Sequence, residues 1–273
     1  MDLRRKSTQV SLVQIDIKFG EKKVNFEKTN MLLEEAFSQA LPKIPHIICL
    51  PELFSTGYDL TRVQKHAEPI PGGETTTFLQ QIAEKFSGVV VASFIEVEKG
   101  NYYNTAVVID ETGVFIGKYR KIHLFPPMKE PEVFSIGGFI QDNLSFRTKS
   151  VNLGLLICYD LRFPEISRRV TLDGNAEVLV YLAEFPQPKY EIWTRLLQAR
   201  AIENQLFVCG VNRIGNDPNF DYFGRSVIYD PGGNVLIEGT DKEEVITTQL
   251  DLSDLKKVRS TLPSLQHRLP NFY

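Results

Sequence analysis

The sequence predicts a layered α/β fold, and three observations carry that reading. Apolar runs of strand length alternate with segments of helical spacing. The order β-α-β-α followed by hairpins occurs twice, and no linker or low-complexity stretch separates the two halves. Strands that are apolar on both faces need cover on both, and alternating helices supply it. The expectation is one domain over residues 1–273 with an internal pseudo-duplication and a C-terminal tail at about 262–273.

In the first half, T-Q-V-S-L-V-Q-I-D-I-K-F-G alternates and reads as the first strand. Glu21 to Ala40 has helical spacing at Leu32, Leu33, Ala36, Phe37 and Ala40, and Pro42 and Pro45 break it. The strand H-I-I-C-L leads straight into Pro51-Glu52. Loop-like sequence with S-T-G-Y and P-I-P-G-G then runs to Gly73. A second helix is expected over about Thr75 to Phe86. V-V-V-A-S-F-I-E-V, Y-N-T-A-V-V-I-D and V-F-I-G-K-Y-R-K form a meander, with turns at Lys99-Gly100 and E-T-G, whose last strand ends at Lys121.

In the second half, a proline-interrupted loop from Pro126 to Gly138 precedes the strand V-N-L-G-L-L-I-C, which ends at Cys158. A polar turn with Asp160 and Arg162 follows. Pro164 opens a helix, where its missing N–H costs nothing. A-E-V-L-V-Y-L is an apolar strand, a long helix runs from about Lys189 to Gln205, and L-F-V-C-G-V is the next strand. The second meander reads R-S-V-I-Y-D, a turn at P-G-G, N-V-L-I-E, and V-I-T-T-Q-L.

Composition narrows the function classes. The 273 residues are 42% hydrophobic, ample for a buried core, and 31 basic against 34 acidic side chains give a net charge of −3. The charges are interspersed with no basic stripe, which argues against nucleic acid as a partner. Arg4, Arg5 and Lys6 imitate the start of a signal peptide, but the alternating, Asp16-containing segment after them reads as a strand. No apolar run reaches membrane-spanning length, so no membrane association is expected. Cys49, Cys158 and Cys209 are odd in number and lie in apolar runs, the pattern of reduced thiols in a cytoplasmic protein. His46, His66, His123 and His267 lack metal-ligand spacing, and no metal or other cofactor is expected.

Glu52, Lys121 and Cys158 share one kind of place, the carboxyl end of an apolar strand, where α/β sheets bind their ligands. Singly, each has an ordinary explanation: a charged loop residue, a member of the solvated run K-Y-R-K, a space-filling cysteine. Together they make chemical sense. A carboxylate can take the thiol proton, and an ammonium offsets the repulsion between carboxylate and thiolate and can stabilise an oxyanion. The field at the turn before Pro164 also favours the thiolate, the reactive form of cysteine.

The motifs around these residues resemble those of the nitrilase or carbon–nitrogen hydrolase superfamily, with its Glu–Lys–Cys triad, and lie in the same order. They are L-P-E-L-F at Leu50 to Phe54, Y-R-K-I-H-L-F at Tyr119 to Phe125, and I-C-Y-D-L-R-F-P-E at Ile157 to Glu165. A-R-A-I-E-N-Q, Ala199 to Gln205, also fits, and the likeness covers nearly the whole chain. It implies a four-layer α-β-β-α sandwich that pairs into a larger one in a homodimer or higher homo-oligomer. It also implies roles: Glu52 as general base and then acid, Cys158 as nucleophile, Lys121 as electrostatic stabiliser, and the backbone N–H of Tyr159 in the oxyanion hole. The family's second glutamate, followed at offsets of four and seven by an apolar residue and a glycine, falls on Glu130 with Phe134 and Gly137; Glu132 fits less well.

True nitrilases usually carry Cys-Trp-Glu at the nucleophile, so Cys158-Tyr159-Asp160 implies hydrolysis of a small-molecule amide. C-Y-D-L-R-F-P-E and L-P-E-L-F-S-T-G-Y-D-L look most like the omega-amidase branch, which cleaves 2-oxoglutaramate and related monoamides of dicarboxylic acids. The tail L-P-S-L-Q-H-R-L-P-N-F-Y resembles deaminated-glutathione amidases, which with the other amidases, nitrilases and carbamoyl hydrolases of the superfamily are the alternative. An acyltransferase or a glutaminase subunit is less expected, since the sequence shows neither a membrane segment nor an appended ATP-binding domain, and the intact triad argues against a catalytically dead binding protein. The group that would bind a distal carboxylate is left open. Arg162 beside Asp160 reads more readily as a structural ion pair, and Lys189 in the P-Q-P-K loop is a second candidate.

Overall fold

The structure, a computed structural model, describes residues 7–138 and 145–272, so the basic segment Arg4, Arg5 and Lys6 lies outside the described residues. The first half comprises β1 (Ser7–Gln14), α1 (Lys22–Ala36), β2 (His46–Cys49), the short α2 (Val63–His66), α3 (Glu74–Phe86), β3 (Val89–Glu98), β4 (Asn101–Ile109) and β5 (Phe115–Arg120). A single turn, α4 (Glu130–Val133), and the short β6 (Phe146–Arg147) join it to the second. There follow β7 (Asn152–Ile157), α5 (Pro164–Leu172), β8 (Val178–Ala183), α6 (Tyr190–Asn204) and β9 (Phe207–Asn212). A small hairpin of β10 (Ile214–Asn216) and β11 (Asp221–Phe223) precedes β12 (Val227–Tyr229), β13 (Val235–Glu238), β14 (Glu244–Asp251) and α7 (Ser253–Thr261).

Two six-stranded sheets result, in the orders β14-β1-β2-β3-β4-β5 and β13-β12-β9-β8-β7-β6. In each, three parallel strands joined through helices, β1-β2-β3 and β7-β8-β9, are extended by two antiparallel ones on one side and a single one on the other. The expected doubling is therefore present in the strand order.

The period of two along each strand builds the layers. In β2, Ile47 and Cys49 pack in the core that joins the two sheets, whereas Ile48 points the other way, to Phe26 and Leu33 of α1 and Leu79, Ile82 and Ala83 of α3. On the second sheet, α5 and α6 close the outer face through Ile166, Val170, Trp193, Leu197 and Ala201. Gly210 of β9 makes room for this cover, since a Cβ there would stand 2.5 Å from Leu197 and 2.7 Å from Trp193. The layers run α-β-β-α, as the resemblance implies.

Several boundaries differ from expectation, each for a local reason. V-I-T-T-Q-L does not complete the second meander. As β14 it crosses to the first sheet and pairs antiparallel with β1 from Ser7↔Asp251 to Gln14↔Glu244. Residues 10–14 of β1 are buried, and a strand so enclosed needs a partner on each side. The first helix ends at Ala36 rather than Ala40, ahead of the prolines. The long helix spans Tyr190–Asn204, with Gln205 left-handed (φ 50°) at its end. Helix α7 and the β10–β11 hairpin were not anticipated: the former carries only Leu255 as a buried anchor, the latter has strands of three residues.

Candidate active site

The sheet order brings the three predicted strand ends together. β2 and β3 run parallel, and two antiparallel steps return β5 to the same direction, so Glu52 and Lys121 emerge at one edge. Cys158 follows Ile157, which is paired with Leu182 of β8. Glu52, Lys121, Cys158 and Glu130 are all buried.

Lys121 Nζ stands 2.8 Å from Glu52 Oε1 and 2.8 Å from Glu130 Oε2. Burial opposes its charge, but Glu130 and then Glu52 outweigh that penalty and hold the ammonium well above the ordinary lysine range. Glu130 is raised by burial, against the pull of Lys121 and with a further push from Glu52. Glu132, the competing candidate, is exposed. The lysine loop is closed by Gly137, whose N–H donates to Lys121 O at 2.9 Å; a Cβ there would meet Arg120 O at 2.3 Å, so the backbones approach as only glycine allows.

Glu52 is held on both oxygens. Oε1 accepts from the Tyr58 hydroxyl at 2.6 Å, Asn104 Nδ2 at 2.8 Å and Lys121, and Oε2 accepts the Glu184 N–H at 2.9 Å. Tyr58 and Asn104 also reach Glu130 Oε1, at 3.0 and 3.1 Å, so the two carboxylates share three donors. Behind them Glu184 pairs with buried Arg213 at 2.7 Å, and burial pushes the Glu184 carboxyl up against the pull of that arginine. Sequence reasoning missed Tyr58, Asn104 and the Glu184 N–H. Asn104 left a signal, an amide inside the apolar run Y-N-T-A-V-V-I-D, where a buried polar side chain needs partners.

Cys158 begins a tight 3-10 turn, Cys158–Arg162, with left-handed backbone at φ 41°. Such a conformation costs on the order of 1–3 kcal/mol and persists only where its surroundings impose it. Asp160 imposes it, accepting Ile157 N–H at 3.0 Å and the Tyr119 hydroxyl at 2.7 Å. Tyr159 follows the cysteine directly, and the N–H groups that open a helical turn lack partners within it. The thiol itself differs from expectation. Burial, followed by the Glu52 charge, pushes it well above the ordinary cysteine range, and Lys121 only partly offsets them. The turn therefore holds a protonated thiol beside a carboxylate, not a standing thiolate.

The expected ion pair between Arg162 and Asp160 is not formed. Asp160 bonds to Tyr119, Ile157 and His123, and Arg162 is exposed. Lys189 instead shares a small recess with Cys158 and Arg162. Two histidines are occupied in the core, His46 with Ser11 and His66 with Asp59, while His123 stacks on Phe163 at 3.6 Å and His267 is exposed. Among the described residues no cluster of His, Cys, Asp and Glu could hold a metal ion. No helix there is long and apolar enough to cross a membrane.

Residues 9–260 match the carbon–nitrogen hydrolase family. A 2-oxoglutaramate amidase of Bacillus subtilis is 37% identical over 255 residues, 93% of this chain and 95% of the relative. A Pyrococcus abyssi protein named nitrilase is 36% identical over 250 residues, 89% of this chain and 90% of its own. The crystal structure of Saccharomyces cerevisiae Nit3, a member of branch 10 of the nitrilase superfamily, superposes with a TM-score of 0.85 at 28% identity, covering 94% of this chain and 95% of that one. With this span of likeness and the α-β-β-α layers, the chain belongs to the carbon–nitrogen hydrolase family and is a hydrolase of carbon–nitrogen bonds in non-peptide amides.

Proposed function

We propose that the chain is a thiol-dependent amidase that cleaves the terminal amide of a small carboxylate-bearing substrate, of the 2-oxoglutaramate type, to acid and ammonia. One observation carries the reading: a buried lysine held at 2.8 Å by two glutamates beside a buried, strained cysteine. The similarity to the Bacillus subtilis 2-oxoglutaramate amidase supports the substrate class.

In this mechanism the Cys158 proton passes to Glu52 as the sulfur bonds to the amide carbon, which is why a thiol with a raised pKa suits the site. The carbonyl oxygen takes the negative charge and is met by Lys121 and the Tyr159 N–H. Glu52 returns the proton to nitrogen, the C–N bond breaks, and ammonia leaves a thioester on Cys158. A water molecule then gives a proton to Glu52 and attacks the thioester carbon. The C–S bond breaks, the proton returns to sulfur, and the acid departs. Glu130 holds Lys121 in place and keeps it charged throughout.

The test is to supply omega-amides, deaminated glutathione, nitriles and carbamoyl compounds and measure ammonia release, then repeat the assay with hydroxylamine. Ammonia from omega-amides, a hydroxamate product with ping-pong kinetics, and complete loss in a folded Cys158→Ala variant are expected. Amide consumption without any hydroxamate, or turnover by the cysteine-free variant, overturns the mechanism.

A further inference from the structure

We propose that Asn212 and Arg213 are positioning residues that aim the backbone N–H of Glu184 at Oε2 of Glu52, and that this oxygen, not Oε1, takes the Cys158 proton. The inference rests on the amidase reading and adds to it the atom at which the base works and the residues that present it.

The two oxygens of Glu52 are not equivalent. Oε1 meets three donors, the Tyr58 hydroxyl, Asn104 Nδ2 and Lys121 Nζ, at 2.6, 2.8 and 2.8 Å. A carboxylate oxygen offers two lone pairs, so Oε1 is fully occupied. Among the described residues Oε2 meets one donor, the Glu184 N–H at 2.9 Å, and it keeps a lone pair for a proton. The proton leaves Sγ for Oε2 as sulfur bonds to carbon, and it passes to nitrogen as the C–N bond breaks. A single backbone N–H therefore orients the working oxygen.

That N–H is held from both sides by one dipeptide. Glu184 follows β8 of the second sheet, whereas Glu52 belongs to the first, so their distance depends on how the sheets are joined. Just before Glu184, Arg213 N–H donates to Ala183 O at 3.2 Å. Just after it, Asn212 Oδ1 accepts the Phe185 N–H at 2.7 Å and Asn212 Nδ2 donates to Phe185 O at 3.2 Å. At Glu184 itself, Arg213 Nη1 donates to the side-chain carboxyl at 2.7 Å. The same guanidinium reaches the first sheet, where Nη2 donates to Ile17 O, just past β1, at 2.7 Å.

The clamp also backs the turn that supplies a donor to Oε1. Gly57 adjoins Tyr58 with left-handed backbone at φ 60°, and a Cβ there would stand 3.4 Å from Arg213 Nη1 and 3.7 Å from Glu184 Oε1. Glu184, Asn212 and Arg213 are all buried. Stability alone gives little reason for such a pair, because well-packed apolar side chains avoid the desolvation that buried charges cost. Glu184 Oε1 has no hydrogen-bond partner among the described residues, so the carboxyl is tied at one oxygen only, by Arg213. A carboxyl that served stability would be satisfied at both.

The experiment measures ammonia release across pH, from whichever of the omega-amides and deaminated glutathione the wild type cleaves fastest. The proteins are the wild type, Asn212→Ala, Glu184→Ala and Glu184→Gln, each checked for folding by its thermal transition. The titratable groups that face Glu52 are Tyr58, Lys121, Glu130, Cys158 and Glu184, and the variants leave the first four in place. Asn212→Ala and Glu184→Ala should each lower kcat by about 10- to 100-fold with KM little changed, the range of one hydrogen bond to a charged group. A carboxylate that loses a donor holds its proton more tightly, so the acid limb of kcat/KM should move up by about one pH unit. Glu184→Gln keeps an acceptor for Arg213 and should recover most of what Glu184→Ala loses. Asn212→Ala breaks no ion pair and decides the question where Glu184→Ala does not fold. Wild-type protein that releases no ammonia from any of these amides overturns the reaction and the positioning role with it. With an active wild type, an unchanged kcat in Asn212→Ala, or a lowered kcat with an unmoved acid limb, overturns the positioning role alone and leaves the amidase reading intact. A Glu184→Gln protein as slow as a folded Glu184→Ala protein does the same.

Discussion

The Asp160 carboxylate accepts the Tyr119 hydroxyl at 2.7 Å, joining the turn of the cysteine to the strand of the lysine. It also accepts His123 N–H at 3.1 Å and pairs with His123 Nδ1 at 2.8 Å, so the chain is pinned two residues before and two after Lys121. Asp160 is thus a positioning residue for the distance between Lys121 and Cys158. Asp160→Asn keeps the shape but loses an acceptor, leaving a buried donor unpaired. The expected result is a fall in kcat of about 10-fold or more with KM little changed, and a loss of about 1–3 kcal/mol in stability. Steady-state kinetics and urea denaturation check both. A loss of stability with unchanged kcat would reduce Asp160 to an ordinary structural residue.

Lys121→Met removes the charge shared by Glu52 and Glu130. As an oxyanion stabiliser the lysine should contribute on the order of 10²-fold or more to kcat. A loss of only a few-fold would reduce Lys121 to a structural counter-ion of the two carboxylates.

The thiol offers a chemical reading of the same electrostatics. Burial and the Glu52 charge push Cys158 up, whereas Lys121 pulls it down. Iodoacetamide reacts with the thiolate, so labelling of the wild type should be slow at neutral pH and rise steeply into the alkaline range. Glu52→Gln removes a group that raises the thiol, and labelling at a fixed pH should become faster. Lys121→Met removes the group that lowers it, and labelling should become slower. Mass spectrometry of the labelled protein gives the rates, and identical rates in all three proteins would contradict this account of the site.

Much of this arrangement is legible in the sequence because strand ends are. An apolar run that stops at Pro51-Glu52, at Lys121 or at Cys158 locates the residue that follows; strand direction puts Glu52 and Lys121 at one edge of their sheet, and the packing of the two sheets brings Cys158 to them. Tyr58 was not legible, because it reaches Glu52 from an irregular loop whose path is set by tertiary packing. The crossing of β14 was hidden as well: V-I-T-T-Q-L carries a strand pattern but nothing that says which edge it covers. Arg162 and Asp160 are neighbours in sequence, yet Asp160 turns inward to Tyr119 while Arg162 stays exposed, a choice made by contacts remote in the chain. The depth of burial around Cys158, which decides the protonation of its thiol, likewise exists only once the layers are packed.

His46 carries a pH dependence away from the site. It is buried beside Ser11, and burial pushes its imidazole down to about 4 from an ordinary 6.5. Between those values the unfolded chain binds a proton that the folded chain refuses. Stability should therefore be fully present above about pH 6.5 and fall as pH drops toward 4, by up to about 1.4 kcal/mol per pH unit from this group. Urea denaturation of wild type and His46→Gln across this range isolates the effect as a difference that shrinks with acidification. Curves that stay parallel would show that the imidazole does not titrate with folding.

The tail yields the last prediction, that the chain works as a dimer and that residues after Thr261 help to hold it. Helix α7 ends at Thr261, and the prolines at 263 and 270 prevent its continuation. Leu262, Leu269 and Phe272 are then left largely in water, Phe272 at 82% exposure, and Ile202 on α6 is 51% exposed. Exposed apolar groups that gather on one surface mark contact sites. The tail begins at the end of α6, where Gln205 Nε2 donates to Leu262 O at 2.7 Å and Arg259 Nε donates to Gln205 O at 3.1 Å. A segment rooted there and carrying its apolar side chains outward suits a partner's surface better than its own, which offers them no cover. Truncation after Thr261 should weaken self-association, seen by light scattering across a concentration series, while the buried site keeps its geometry. A truncated protein that remains dimeric, with unchanged dissociation and unchanged kinetics, would show that the tail packs on its own subunit.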